Sequence, residues 1–303
     1  MRYLFRMTSF RRATVAALAA CAVMTAWTSC RREEPAAARL TVEPAFLHLA
    51  YPRWADVTLS FEILRDARPA PGAPAPIVFV HLLDAQGDVV RTFDHAFPGS
   101  LASGATTSYA LALHQSALSP PLAPGEYRLT VGMVDADGRR WPMSGEAAAR
   151  REYLVARVDV PAADDAEPLF SFSKEFFDSE PGNDVQVPAI RWFDGEARVR
   201  IAEVAGSGSI LVGLQIPPPN ARGYAMELET GSTEARLFLS SPCSETQTQI
   251  SGPGRRLVRL PLSAAPAGQP CEIRLASNYR LRPLEPGGRS RVAVLETLSW
   301  AAQ

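Results

Sequence analysis

The fold class follows from the stretch Pro124-Gly-Glu-Tyr-Arg-Leu-Thr-Val-Gly-Met-Val-Asp-Ala-Asp-Gly138. It begins with a Pro-Gly turn, and alternate residues from 127 to 133 are apolar, which is the period of a β-strand with one buried face. Its Asp-Ala-Asp-Gly end suits a tight hairpin, because Asp favours the first turn position and Gly the left-handed one. Residues 77–91 repeat this pattern, with an apolar strand that ends in Asp84-Ala-Gln-Gly87. Two such hairpins predict an antiparallel β-sandwich.

Length and pattern predict two domains and an all-β fold. The chain has 303 residues, 47% of them hydrophobic, which is enough for two ordinary cores. Short alternating strands over residues 40–160 predict an immunoglobulin-like sandwich, and the segment Leu122-Ala-Pro-Gly-Glu-Tyr127 resembles the tyrosine corner of that fold. Residues 161–168, rich in Asp, Ala and Pro, predict a linker. Further strands over residues 169–303 predict a second sandwich of jelly-roll type.

The N-terminus has the pattern of a signal peptide over residues 1–29. Four arginines within residues 2–12 precede an uncharged run over residues 13–29. The run is near the lower length limit of a membrane span and rich in Ala and Thr, so a permanent membrane anchor is the weaker interpretation. We therefore expect an exported protein.

Two cysteines near the end of this run resemble the lipidated cysteine of bacterial lipoproteins. Cys30 uses the whole apolar run and begins a polar tether over residues 30–39, whereas Cys21 follows Leu18-Ala-Ala, which is closer to the usual lipobox. We favour Cys30, with Cys21 as the alternative; an ordinary cleaved signal is the other possibility. The resemblance implies a multiply acylated cysteine that anchors the protein in the cell envelope, at the periplasmic face or in the outer membrane.

The other two cysteines, Cys243 and Cys271, lie in the second predicted domain. Each continues the inward parity of the apolar residues beside it, and an exported chain favours oxidation. We predict a disulfide between them, with buried free thiols as the alternative. Closing this loop contributes about 3 to 4 kcal/mol in the chain-entropy model.

Two further groups of strand and turn residues resemble the soluble β-domains attached to some bacterial membrane glycosyltransferases. The first group is Phe79-Val-His-Leu-Leu-Asp-Ala-Gln-Gly87 together with the Pro-Gly-Glu-Tyr stretch. The second is Ile190-Arg-Trp192 together with Ser277-Asn-Tyr-Arg-Leu-Arg-Pro283. The resemblance implies an envelope polysaccharide or glycolipid context. It transfers no catalytic residue, because the transferase chemistry lies in a multi-span membrane domain.

The sequence gives little sign of catalysis or of a bound metal. It contains no His-Glu-x-x-His, Gly-x-Ser-x-Gly or phosphate-binding-loop motif, so we expect neither an enzyme nor a cofactor. One hairpin can bring four residues together for acid–base or metal chemistry, although a buried structural histidine is commoner: His81, Asp84, Asp94 and His95. An acidic loop can bind calcium, although such loops are usually only solvated: Asp178, Glu180 and Asp184.

Aromatic and basic residues indicate a glycan ligand. Sugar rings stack on exposed aromatic faces; Trp54 and Trp141 border turns and are predicted at the surface, whereas Trp192 and Trp300 lie in strand patterns and are predicted in the core. Residues 255–291 contain eight arginines and two glutamates. We expect Arg280 and Arg282 to face an anionic glycan, a lipopolysaccharide phosphate or lipid headgroups. Pairing of these arginines with the acidic residues of 159–184 is the alternative.

Together these features predict a non-catalytic cell-envelope lipoprotein. It is expected to act as a binding or assembly module for envelope polysaccharide or glycolipid, with the membrane as a partner through the N-terminal lipid. The alternative is a structural lipoprotein that docks envelope proteins and has no glycan ligand. Nucleic acid is not an expected partner, since the net charge is −1.

Overall fold

The strand predicted from the Pro-Gly-Glu-Tyr stretch spans Gly125–Val134. All four residues predicted to face inward are buried: Tyr127, Leu129, Val131 and Met133. The Tyr127 hydroxyl donates a hydrogen bond of 2.7 Å to the carbonyl of Ala123, four residues upstream. This is the bond that a tyrosine corner requires.

The two predicted hairpin turns have the same hydrogen bonds. In each, the first Asp carboxylate accepts bonds of 2.8–3.1 Å from the amides two and four residues later, at Asp84 and at Asp135. Gly87 and Gly138 have φ values of 90° and 78°, in the left-handed region that glycine tolerates best. The Asp-Ala-x-Gly pattern therefore occurs twice because both turns need an Asp that caps the loop and a Gly in the left-handed conformation.

The computed structural model describes residues 34–66, 74–163, 170–182, 185–202, 207–263 and 270–302, and every regular element in these ranges is a β-strand. The all-β prediction is confirmed. Eleven strands form the first half: β1 (Ala38–Glu43), β2 (Phe46–His48), β3 (Trp54–Ile63), β4 (Ile77–Leu83), β5 (Val89–Thr92), β6 (His95–Ala96), β7 (Thr106–His114), β8 (Gly125–Val134), β9 (Met143–Ser144), β10 (Glu146–Ala149) and β11 (Glu152–Val160). Twelve follow: β12 (Phe170–Phe172), β13 (Glu180–Pro181), β14 (Ala189–Phe193), β15 (Ala197–Ile201), β16 (Gly208–Ile216), β17 (Tyr224–Leu228), β18 (Arg236–Ser240), β19 (Thr248–Ser251), β20 (Gly254–Leu262), β21 (Cys271–Ser277), β22 (Tyr279–Pro283) and β23 (Ala293–Ala302).

Strands β1–β11 form the first sandwich. One sheet has the order β7-β3-β1-β9, and the other has the order β10-β11-β8-β4-β5, with β2 beside β11 and β6 beside β4. Most pairs are antiparallel, whereas β1–β9 and β2–β11 are parallel. Side chains from both sheets meet in one core, which includes Phe61, Leu82 and Leu129.

Strands β12–β23 form the second sandwich. Its sheets have the orders β12-β15-β21-β18-β19 and β13-β14-β23-β16-β20, and β17 pairs with β22 as a separate ribbon. The core between the two sheets includes Phe193, Ile210 and Leu275. The predicted disulfide between Cys243 and Cys271 is present and lies beside this core.

The two sandwiches share a hydrogen-bonded junction within the compact unit of residues 37–303. The segment after β7 runs beside β23: the Ala117 amide donates to the Leu298 carbonyl at 2.7 Å, and the Ser299 hydroxyl donates to the Gln115 carbonyl at 2.7 Å. The side chain of Leu118 packs into the core of the second sandwich. The junction therefore fixes the end of β7, in the first sandwich, next to β23 of the second.

The predicted signal peptide, Cys21 and Cys30 lie outside the described residues, as does most of the predicted linker. Residues 34–36, which precede Ala37, have no regular structure. Within the described ranges no helix has the length and hydropathy needed to cross a membrane.

Candidate binding groove

A groove runs along the outer face of the β13-β14-β23-β16-β20 sheet and ends against the first sandwich. It has two lobes that share Val187, Arg255 and Glu296. The lobe nearest the first sandwich, called the junction lobe, has a volume of about 280 Å³ and includes residues of β5 and β7 in its wall. The other, called the aromatic lobe, has a volume of about 400 Å³. Each is close to the size of an ordinary small-ligand site.

An ion pair between Arg255 and Glu296 stands where the lobes meet. The Arg255 Nε lies 3.1 Å from the Glu296 carboxylate, and Glu296 is only 6% exposed. Arg255 also donates to the side-chain oxygen of Gln186 at 3.0 Å, and the Gln186 amide donates to the Asp94 carbonyl of the first sandwich at 3.2 Å. Because a buried carboxylate is costly without a partner, this chain of contacts fixes the guanidinium of Arg255 in the groove.

A bulge positions Glu296. Pairing between β16 and β23 shifts register after Gly213, which lies opposite Thr297, whereas Leu214 lies opposite Leu295. The extra residue breaks the simple inward and outward alternation of β23. Glu296 thereby lies on the groove face while Leu295 remains in the core.

Two partly exposed rings, Trp192 and Tyr224, form the wall of the aromatic lobe. Alternation along β14 places Phe193 in the core and Trp192 on the opposite face. The Arg291 guanidinium lies 4.6 Å from the centroid of the Trp192 ring and 5.6 Å from that of Tyr224, so one cation holds both rings. The lobe thus offers aromatic faces next to hydrogen-bonding groups, an arrangement suited to a ligand with both apolar and polar edges.

A proline-rich loop also lines the aromatic lobe. Pro217, Pro218 and Arg222 line the lobe, and the loop is folded by hydrogen bonds from Ala221 and Tyr224 to carbonyls three residues upstream. Proline restricts the backbone of this loop. The loop therefore presents Arg222 from a constrained position.

The junction lobe contains two partly buried histidines. His114 lies 3.4 Å from the Ala112 carbonyl through Nδ1 and 3.2 Å from the Thr297 hydroxyl through Nε2. Burial lowers the pKa of His114 to about 4. Burial also lowers the pKa of His95, whose Nε2 lies 2.7 Å from the Tyr109 hydroxyl. These rings act as uncharged hydrogen-bonding groups at neutral pH.

The four residues predicted to bind glycan do not gather at one place. Trp54 lies at the junction, with the Arg259 guanidinium 4.6 Å from its ring centroid. Trp141, predicted at the surface, is buried in the core of the first sandwich at 6% exposure. Arg280 and Arg282 are exposed on β22, where they lie beside Asp194 and Glu227.

The placement predicted for the other two tryptophans is right in one case. Trp300 lies in the core at 2% exposure, whereas Trp192 lies partly exposed on the groove wall. In each strand successive side chains point to opposite faces of the sheet. The sequence alone does not say which of the two faces is covered by the rest of the protein. Among the described residues, the partly exposed tryptophans are therefore Trp54 and Trp192.

The acidic loop is only partly described. Glu180 lies 4.0 Å from Arg291, Asp178 is exposed, and Asp184 lies outside the described residues. Among described side chains no group of three or more His, Cys, Asp or Glu residues is placed to hold a metal ion.

A separate polar cluster lies on the larger sheet of the first sandwich. The Glu152 carboxylate lies 3.0 Å from His81 Nδ1 and accepts a hydrogen bond of 2.5 Å from the Thr130 hydroxyl. The bond from His81 lowers the pKa of Glu152, and burial opposes that shift. These contacts join β4, β8 and β11, so the cluster ties three strands together.

The predicted convergence of His81 with the acidic hairpin residues occurs in part. Asp94 lies 3.8 Å from His81 Nε2. Asp84 caps its own turn instead, and His95 faces Tyr109.

No protein-family model matches the chain, and no curated protein matches it either.

Proposed function

We propose that the protein is a non-catalytic cell-envelope lipoprotein that binds an envelope polysaccharide or glycolipid in the groove. The observation that carries the proposal is the aromatic lobe, where Trp192 and Tyr224 stand beside Arg222, Arg255 and Glu296. Sugars present apolar C–H faces that stack on aromatic rings, and hydroxyl edges that hydrogen-bond with charged side chains. An open groove also suits a chain-like ligand better than a closed pocket does.

The fold and the N-terminus support an envelope role. In this proposal the first sandwich is immunoglobulin-like, which the Tyr127 bond to Ala123 favours, and the second is jelly-roll-like. The signal pattern and the cysteine at Cys30, or alternatively Cys21, would anchor the exported chain by lipid. The disulfide between Cys243 and Cys271 fits an oxidising compartment. The resemblance to glycosyltransferase-attached domains adds a polysaccharide context.

The carboxylates that line the groove are already bound to other groups of the protein, which favours a binding role over hydrolysis. Hydrolysis of a glycosidic bond ordinarily uses two carboxyl groups that flank the bond. Among the described residues, two carboxylates line the groove: Glu296, which is bound to Arg255, and Asp94, which accepts a hydrogen bond of 2.9 Å from the Val80 amide. We assign Glu296 the role of holding Arg255 in position.

A glycan-binding screen with the full chain, purified in detergent, tests the proposal. The variants are Trp192→Ala in the aromatic lobe and Trp54→Ala at the junction. Each replaces one tryptophan by alanine, so the two differ only in the position of the change. We expect saturable binding of an envelope-type polysaccharide that is lost in Trp192→Ala and kept in Trp54→Ala. Loss only in Trp54→Ala would place the ligand at the residue predicted from sequence and reject the groove.

Docking of another envelope protein is the second candidate function. Leu228 at the end of β17, Leu284 just after β22 and Leu257 on β20 are exposed at 39%, 67% and 49%. Large apolar side chains at the surface are available for contact with a protein partner. Absence of binding to every neutral and acidic glycan in the screen would favour this function.

A further inference from the structure

We propose that the glycan bound in the groove is anionic, and that its carboxylate or phosphate group lies in the aromatic lobe between Arg222 and Arg255. This inference rests on the proposed function and narrows it to a class of ligand. It also assigns anion recognition to residues other than Arg280 and Arg282.

The charge of the aromatic lobe is the first support. Its lining contains two cations, Arg222 and Arg255, and one anion, Glu296, which gives a net charge of +1. Outside this lining, Arg291 contacts the Trp192 ring, and Arg289 and Arg291 lie 3.9 and 5.4 Å from the centroid of Phe177. The Glu180 carboxylate lies 4.0 Å from the Arg291 guanidinium. The lobe thus lies in a positive field that favours a negative ligand group.

The geometry of Arg255 is the second support. Its Nε is bound to Glu296 and its Nη1 to Gln186, so two of its three nitrogens are fixed. Within the described part of the chain no contact is recorded for Nη2, and the side chain remains 42% exposed. A guanidinium held through Nε and Nη1 can still donate from Nη2 to a carboxylate or a phosphate.

Arg222 is the third support. It is exposed at the lobe, and no ion pair joins it to any residue that the structure describes. Its loop is constrained by prolines, so little backbone freedom is lost when a ligand binds. By contrast, Arg282 lies 2.8 Å from Glu227 and Arg280 lies 3.9 Å from Asp194, so nearby carboxylates reduce their attraction for an anion.

Calorimetric titration of the full chain in detergent tests the inference. The probes are oligosaccharides of one backbone in neutral, carboxylated and phosphorylated forms, at 50 and 500 mM NaCl. The variant is Arg222→Gln, and the control is Arg157→Gln, an exposed arginine of the first sandwich paired with Glu126. Both variants remove one positive charge from the surface, so a difference between them reports the lobe.

We expect a charged form to bind at least tenfold more tightly than the neutral form at 50 mM NaCl. A single hydrogen bond to a charged group raises affinity by about tenfold or more. Arg222→Gln is expected to remove most of this preference, while Arg157→Gln retains it. Whichever charged form binds more tightly identifies the group as carboxylate or phosphate. Equal binding of all three forms, lost in Trp192→Ala, would overturn the inference and keep the proposed function. A charged preference that survives Arg222→Gln would also overturn it, and no binding of any form would overturn both.

Discussion

Acid should weaken the folded protein through His114, whose partly buried ring joins the two sandwiches through Thr297. The unfolded-state pKa is 6.5 and the folded-state pKa is about 4. Because the folded pKa is depressed, the unfolded state binds more protons below pH 6.5, and stability falls as the pH decreases towards 4. Linkage with these two values gives a loss of about 2 kcal/mol between pH 7.5 and pH 5.

The surroundings of His114 determine the design of the experiment. Arg91 faces the ring and opposes its protonation, and the lowered pKa of His95 adds a loss of the same sign. Glu152 also has a lowered pKa, but its contribution is lost only at more acidic pH, because a carboxylate with a depressed pKa stays ionised until the pH falls through its folded value. The window from pH 7.5 to 5 therefore isolates the histidines.

Urea unfolding followed by tryptophan fluorescence measures this loss. His114→Gln keeps a side chain that can donate to Ala112 and accept from Thr297, and it should reduce the stability lost between pH 7.5 and 5 by about 2 kcal/mol. The control is His48→Gln, which makes the same exchange at an exposed histidine of β2 that lies 2.9 Å from Asp159. An unchanged pH dependence in His114→Gln would refute the reasoning.

Two further changes test the second sandwich. Replacing Cys243 and Cys271 by serine should lower the free energy of unfolding by about 3 to 4 kcal/mol, because the closed loop spans a sequence separation of 28; equal urea midpoints for the variant and the oxidised protein would contradict this. Gly213→Ala should destabilise by about 1 to 3 kcal/mol, because the new Cβ would lie 2.7 Å from Thr297 Cβ, beside the junction. Urea unfolding of Gly213→Ala checks this, and wild-type stability would show that β23 yields without cost.

Local pattern was enough to predict many of the strands. An apolar run before a turn predicted β4 over Ile77–Leu83, alternation predicted β8 over Gly125–Val134, and the Asp-Ala-x-Gly turns have the expected hydrogen bonds. These features depend on residues near one another in the sequence, so the sequence alone contains their cause. The pairing of Cys243 with Cys271 was predictable because the inward parity of both residues and the expected export of the chain both favoured it.

The groove could not be predicted in the same way. Trp192 and Phe193 are adjacent aromatics, and alternation does not decide which of them faces the core. Glu296 reaches the groove through a bulge whose register depends on pairing with β16, about 80 residues upstream. Trp141 borders a turn but folds back, as its amide donates to the Met133 carbonyl, and its ring enters the core.

The most direct test of the groove is a nuclear magnetic resonance titration of protein labelled with ¹⁵N at its five tryptophans. Each indole N–H gives its own signal, and envelope-type polysaccharide fragments are added stepwise. We expect the Trp192 signal to shift in a saturable way while the signals of buried Trp141 and Trp300 stay in place. A saturable shift of Trp54 alone, or no shift of any indole signal, would contradict glycan binding in the groove.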